Sequence, residues 1–383
     1  MPRETASAPA PATASATAPT TTASASATTA ASAPERGSRP LPVHLVGSLP
    51  HPLCDDPATS MRWFLDHRGD ARLTALPSDR DPRWIIEWLT HHMSAVPALE
   101  QVRGGESRGY DDMPFYRVRP GHRLRPEDIG LARLAQAEAA FAALDRLCPA
   151  EAPPRVQVGI PNALDLAFFT FGSVEAAREW LPTMQEAVLA EVTGLVARWG
   201  DRVQLQLETP AVLVSYHCAP PPVWPTLTAE LTAQVGEVIA AAPDARWVLH
   251  LCYGDLEHVP VFTPADLHPP VRFVNALADV LAERGVAMPT VHLPVASGGH
   301  PPCTDPAFFD ALRHLRRGVD VIAGVVAENH PVETRRALRL VVDALVGPVA
   351  GVAAACGYGR RTERAAAANL ALAAEVAREW CVG

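Results

Sequence analysis

His250 and Cys252 lie two positions apart in the run WVLHLCYGD (247–255). On an extended strand, residues i and i+2 face the same side, so this imidazole and thiol point into one space. They are donors that zinc favours. A third soft donor, Cys356, lies far downstream at the end of another apolar run, VAGVAAACGYGRR (349–361). Taken singly, a strand histidine is more often a hydrogen-bonded core residue and a free cysteine a small buried hydrophobe. The metal reading therefore needs a fold that carries Cys356 to the other two. Zinc in such a site lowers the pKa of a bound thiol and holds it as thiolate, the form that attacks an alkyl carbon. Transfer of an alkyl group also needs a proton for the leaving group. Asp79, Glu208, Glu328 and His330 are the candidate acids. Glu328 also opens ENHPVE, where Asn329 could cap a helix that starts at Pro331.

Short apolar runs alternate with long amphipathic segments from Leu41 onward. The runs are 43–46, 71–76, 155–160, 203–207, 247–251, 290–295, 319–326 and 349–355, and the second is the weakest. Helical patterns over 128–147, 174–199, 227–242, 271–285, 304–317, 331–345 and 361–380 fall between them. Strands alternating with helices imply parallel βαβ units. Eight of them predict a closed (β/α)8 TIM barrel. An open doubly wound sheet is the alternative, but VGSLPHP after the first run is not its Gly-rich turn. Residues 94–127 have no clear period and are expected to form a loop over the barrel mouth.

A barrel places reactive residues just after its strands. Ser48 and His51 follow run one, Asp79 run two, Asn162 run three and Glu208 run four. His292 lies within run six, Glu328 and His330 follow run seven, and Cys356 ends run eight. Ser48, His51 and Asn162 are expected to face substrate by location. Tyr358 and Arg360, in CGYGRR, could bind a substrate carboxylate or phosphate at a helix start. The plainer reading of CGYGRR is a tight turn with solvated arginines. Trp63, Trp84, Trp88 and Trp180 read as packing residues.

The 383 residues carry a formal charge of −9 and 48% hydrophobic side chains. That composition supports a large core and argues against a nucleic-acid binder, which would show a basic face. No uninterrupted apolar run of about 18 residues exists, so no membrane span is expected. Seven irregularly spaced cysteines suit a reducing, cytoplasmic compartment rather than a disulfide scaffold. Residues 1–38 are almost entirely Ala, Ser, Thr and Pro, too poor in apolar surface to offset ordering entropy. They are expected to be a disordered tail before one barrel domain, 39–383.

HLCYGD together with AACGYGRRTE resembles the zinc-binding signature of cobalamin-independent methionine synthase, and VGSLPHP resembles the segment that opens that enzyme's catalytic barrel. The likeness is greatest to short, single-barrel relatives, within the wider superfamily that includes uroporphyrinogen decarboxylase. It implies His250, Cys252 and Cys356 as zinc ligands. The synthase takes a glutamate from the next strand; here that strand reads TVHLPV and offers His292, as fourth ligand or as a residue facing substrate. The implied activity is zinc-dependent transfer of a methyl or other alkyl group to a small thiol. The donor would be a folate, a corrinoid protein or a small methylated metabolite. A metal-free lyase or decarboxylase of the same superfamily, and a non-catalytic barrel with structural zinc, are the competing readings.

Overall fold

The computed structural model describes residues 39–149, 153–345 and 347–382. The expected 1–38 tail lies outside the described residues. Eight parallel strands form one sheet: β1 (Val43–His44), β2 (Leu76–Pro77), β3 (Val156–Pro161), β4 (Val203–Glu208), β5 (Arg246–His250), β6 (Thr290–Pro294), β7 (Val321–Val326) and β8 (Gly351–Ala354). Their order is β1-β8-β7-β6-β5-β4-β3-β2. The two edges meet where Val43 N donates to Arg72 O at 2.9 Å and Thr74 N donates to Val43 O at 3.0 Å. The sheet thus closes on itself as the alternation of runs predicts.

Both faces of the strands are buried, yet their content differs. Val46, Val248, Ile322 and Ala353 form an apolar layer inside the barrel. Strand β4, VQLQLE, alternates with period two. Its glutamines meet polar partners: Gln204 Nε2 donates to Gln157 Oε1 at 2.8 Å, and Gln206 Oε1 pairs with His44 Nε2 at 2.9 Å. A buried amide with its hydrogen bonds made costs little, whereas an orphan would cost roughly 1–3 kcal/mol. Burial also pushes the His44 imidazole down to about 4, so it is neutral at pH 7.

Nine α-helices matter to the site: α1 (Pro57–His67), α2 (Arg133–Leu147), α3 (Ala163–Phe171), α4 (Val174–Trp199), α5 (Pro210–Cys218), α6 (Trp224–Ala240), α7 (His268–Glu283), α8 (Pro331–Ala344) and α9 (Glu363–Glu379). None among the described residues is long and apolar enough to cross a membrane. The pattern over 128–147 breaks because Gly130 and Ala132 take left-handed conformations before α2. The segment 304–317 forms a 3-10 helix, Pro306–His314, whose cap Asp305 accepts from Ala307 N. Helix α8 starts at Pro331, with His330 rather than Asn329 at the cap position. The featureless 94–127 segment contains an antiparallel hairpin, Leu99–Arg103 with Phe115–Val118. Helices α3 and α5 were not legible in the sequence. Each has nine residues, and ALDLAFFTF is apolar on almost every side, so it carries no helical period. They follow β3 and β4 directly and wall the barrel mouth.

Candidate metal centre and active-site pocket

The donor atoms of His250, Cys252 and Cys356 lie within 4.8 Å of one another. Cys252 continues the line of β5 and Cys356 the line of β8, strands separated in the sheet order by β6 and β7. Curvature of the barrel closes that gap. The two sulfurs are 4.0 Å apart and the thiols are free. Tetrahedral zinc with Zn–S bonds of about 2.3 Å spaces two sulfurs by about 3.8 Å, so the pair fits that ion. The adjacent Cys356 sulfur and burial push the Cys252 thiol well up. The two sulfurs therefore need a cation to ionise together.

His292, expected as a fourth ligand or a residue facing substrate, is not among the three donors that lie within 4.8 Å of one another. Its Nε2 lies 2.9 Å from Ala354 O and its Nδ1 lies 2.8 Å from His250 Nδ1. A carbonyl can only accept, so His292 Nε2 carries a proton. Burial holds His292 neutral, its pKa pushed down to about 3, so its Nδ1 is an acceptor. His250 Nδ1 must then donate, which leaves the lone pair on His250 Nε2 for a metal. Burial and the neighbouring His292 ring keep His250 neutral as well. Gly324 on β7 makes room for this arrangement, since a methyl there would lie 2.8 Å from His292 Nε2. Replacing His292 with Phe removes the acceptor but not the ring. Zinc affinity should fall about 10–100-fold, the usual cost of losing an outer-shell partner, when measured by competition with a chelator.

The three donors open on a cavity of about 830 Å³. Ser48, Asp79, Glu208 and Arg360, expected near substrate, line it. Asp79 and Glu208 converge over Gly159, where a methyl would lie 2.5 Å from Asp79 Oδ1 and 2.9 Å from Glu208 Oε1. Glu208 accepts from Trp84 Nε1 at 2.6 Å and from Gln206 Nε2 at 3.0 Å. Burial, then the charge of Asp79, pushes the Glu208 carboxyl up to about 7. Burial raises Asp79 too, against the pull of Arg133, whose Nη1 is 3.9 Å from Asp79 Oδ1. Asp79 Oδ2 is buried without a hydrogen-bond partner among the described residues.

The remaining expected residues lie elsewhere. Glu328 is buried against Arg361, Oε1 to Nε 2.9 Å, and accepts from Asn369. Burial opposes its charge, but Arg361 and Asn369 outweigh it and hold the carboxyl low. It is a structural anion, and Arg361 is accordingly not solvated. His330 sits at the start of α8, away from the cavity lining. His51 is on the surface with Asp55 and Glu87. Asn162 turns its amide to Asp165 Oδ2 at 3.3 Å. Tyr358 is buried against Phe64 and under the Arg361 guanidinium. None of these five lines the cavity, although each follows a strand in sequence.

Other lining residues were not singled out. Trp84 was read as packing, yet it binds Glu208 and adopts φ 74, an uncommon conformation for a bulky residue. Asp255 is buried, with Oδ1 3.2 Å from His258 Nδ1 and Oδ2 without a hydrogen-bond partner among the described residues. Its place three residues after Cys252 was a usable signal.

No protein-family model matches the chain, and a search of curated proteins finds no match. Solved structures do match. A B12-independent methionine synthase from Shewanella sp. W3-18-1, in complex with selenomethionine, superposes with a TM-score of 0.55 over 89% of this chain and 97% of that one, at 12% identity. A putative vitamin-B12 independent methionine synthase from Listeria monocytogenes gives 0.51 over 89% and 98%, at 13% identity. This chain shares their fold. The methionine synthase-like barrel therefore underlies the pocket, and its β5, β6 and β8 ends supply His250, His292 and Cys356. Chemistry in a barrel of this kind is decided by those side chains, since one fold hosts many reactions.

Proposed function

We propose that this protein transfers a methyl or other small alkyl group to the sulfur of a small thiol, with zinc held by His250, Cys252 and Cys356. The observation that carries the reading is the set of three soft donors within 4.8 Å, facing a cavity rather than a fourth protein ligand. Structural zinc sites are closed by four protein ligands. Here the residue that might have closed the shell, His292, spends both nitrogens on other partners. The decarboxylase reading calls for cationic residues to hold several carboxylates, whereas the cavity lining has six acids and three arginines.

When bound, zinc supplies the Lewis acidity that keeps an incoming thiol as thiolate at neutral pH. The chain's own residues do the rest. Glu208, with a carboxyl pKa near 7, is poised to deliver a proton to the departing group of the alkyl donor. Asp79 keeps that proton on Glu208 by its charge. Trp84 and Gln206 fix the carboxyl's position through the hydrogen bonds above. Asp79→Asn should therefore lower the pKa of Glu208 and shift the alkaline limb of the rate profile to lower pH, with metal content unchanged. A limb that stays in place would remove Asp79 from this role.

The activity itself is tested by loading the protein with zinc and offering thiols together with methyl donors of three classes: a folate, a methylated corrinoid protein and small methylated metabolites. An S-methylated product detected by mass spectrometry is the expected result. Its absence in every combination, from protein carrying about one zinc per chain, would overturn the proposal.

A further inference from the structure

The cavity is far larger than a small thiol needs. Its volume of about 830 Å³ lies near the upper end of the range for drug-sized ligands, roughly 300–1,000 Å³. It is also divided in character. The metal donors, Asp79, Glu208 and Arg360 occupy one end. The other end runs between α3, α4, α5 and α6 and is lined by Leu164, Phe168, Leu181, Val214, Leu227 and Leu231.

Helical stripes that pack on the core at their margins line this arm. Ala211, Val214, Ser215 and Cys218 of α5 all line it, at the i, i+3, i+4, i+7 spacing of a single helical stripe. Leu227, Leu231 and Gln234 of α6 repeat the pattern. At the rim, Val174, Val223 and Val261 are 47%, 46% and 39% exposed. They are among the most exposed large hydrophobics of the described residues. The charged rim residues Arg178 and Glu230 pair with each other at 3.3 Å. Arg83, nearer the metal end, is taken by Glu257 at 3.1 Å. Six acids against three arginines, two of them already paired, leave no cationic track for a polyanionic carrier.

We infer that the alkyl donor carries an extended, uncharged apolar group that lies in this arm while the thiol occupies the metal end. The inference rests on the proposed function only for the word donor; the arm's preference stands on its lining. Burying each methylene of such a group contributes about 0.8 kcal/mol, about fourfold in affinity. Polyanions gain nothing there.

The test uses the full chain and a neutral fluorescent probe of apolar cavities, N-phenyl-1-naphthylamine. Straight-chain alkan-1-ols of four to ten carbons compete for the probe, with pteroyl-triglutamate as the polyanionic comparison. Expected results are a roughly threefold to fourfold gain per methylene until the arm is filled, and no competition by pteroyl-triglutamate. Val214→Glu should weaken octanol at least tenfold without changing zinc content, and Val214→Phe should shorten the chain length at which the gain stops. A saturating small thiol such as propane-1-thiol should leave the probe bound. A flat chain-length series, tighter binding of pteroyl-triglutamate than of octanol, or unchanged octanol affinity in both Val214 variants overturns the inference. Displacement of the probe by propane-1-thiol also overturns it, because thiol and donor would then share one space. Absence of zinc or of thiol binding, with the alkanol series intact, instead sinks the proposed function and leaves the arm's specificity standing.

Discussion

Cys356→Ser strips the metal while leaving the barrel folded: that is the expected result with the largest effect. A serine hydroxyl is not a thiolate, and the proposed zinc site would lose one of its three donors. The loss should exceed the roughly 10–100-fold cost of removing an outer-shell partner. Zinc measured by elemental analysis should fall from about one per chain to a small fraction of that. Cys252→Ser should behave alike, because the two sulfurs lie 4.0 Å apart, the spacing at which the proposed zinc would bind both. The fold should survive both changes. Cys356 is only half-buried and the backbone bonds of β8 do not involve its side chain. Circular dichroism of the metal-free proteins should show the same helical content. Full zinc occupancy in both variants would remove these cysteines from the site.

Glu208→Gln should separate catalysis from stability. Burial and Asp79 lift the Glu208 pKa from the ordinary 4.5 to about 7, so the folded protein binds a proton that the unfolded chain releases. Stability attributable to this group is present below about pH 4.5 and is lost as pH rises through 7. The shift corresponds to a loss on the order of 3 kcal/mol. Glutamine does not titrate and keeps the shape, so the variant should be the more stable protein above pH 7 and should lose that part of the pH dependence. Activity should move the other way. A proton donor contributes about 10²–10⁴ in rate, and the variant should lose that factor together with the alkaline fall of the rate near pH 7. Burial raises the neighbouring Asp79 and Asp165 as well, and both remain in the variant, so the difference between the two pH profiles reports the share of Glu208. Equal pH dependence of unfolding in wild type and variant would place the proton elsewhere.

Several features follow from the chain's own covalent and local physics. The period of two along WVLHLC puts His250 and Cys252 on one face wherever that strand lies. Eight apolar runs separated by amphipathic segments lead to a parallel barrel, because each strand must bury both faces and each crossover needs a helix. Asp305 and Thr362 cap their helices through local hydrogen bonds that any neighbouring fold would permit.

Other features depend on distance through space, which sequence order does not encode. That Cys356 reaches Cys252 follows from the curvature of the closed sheet. That His292 orients His250 instead of joining the cluster follows from the carbonyl of Ala354 on β8, which commits the far nitrogen of the ring. Asp79 and Glu208 act on each other only because Gly159 on β3, which lies between β2 and β4 in the sheet, has no side chain to keep them apart. Glu328 follows a strand just as Glu208 does, yet Arg361 and Asn369 bind it and remove it from the mouth. Position after a strand names the residues that can reach a barrel mouth; the partners each one meets decide which of them do.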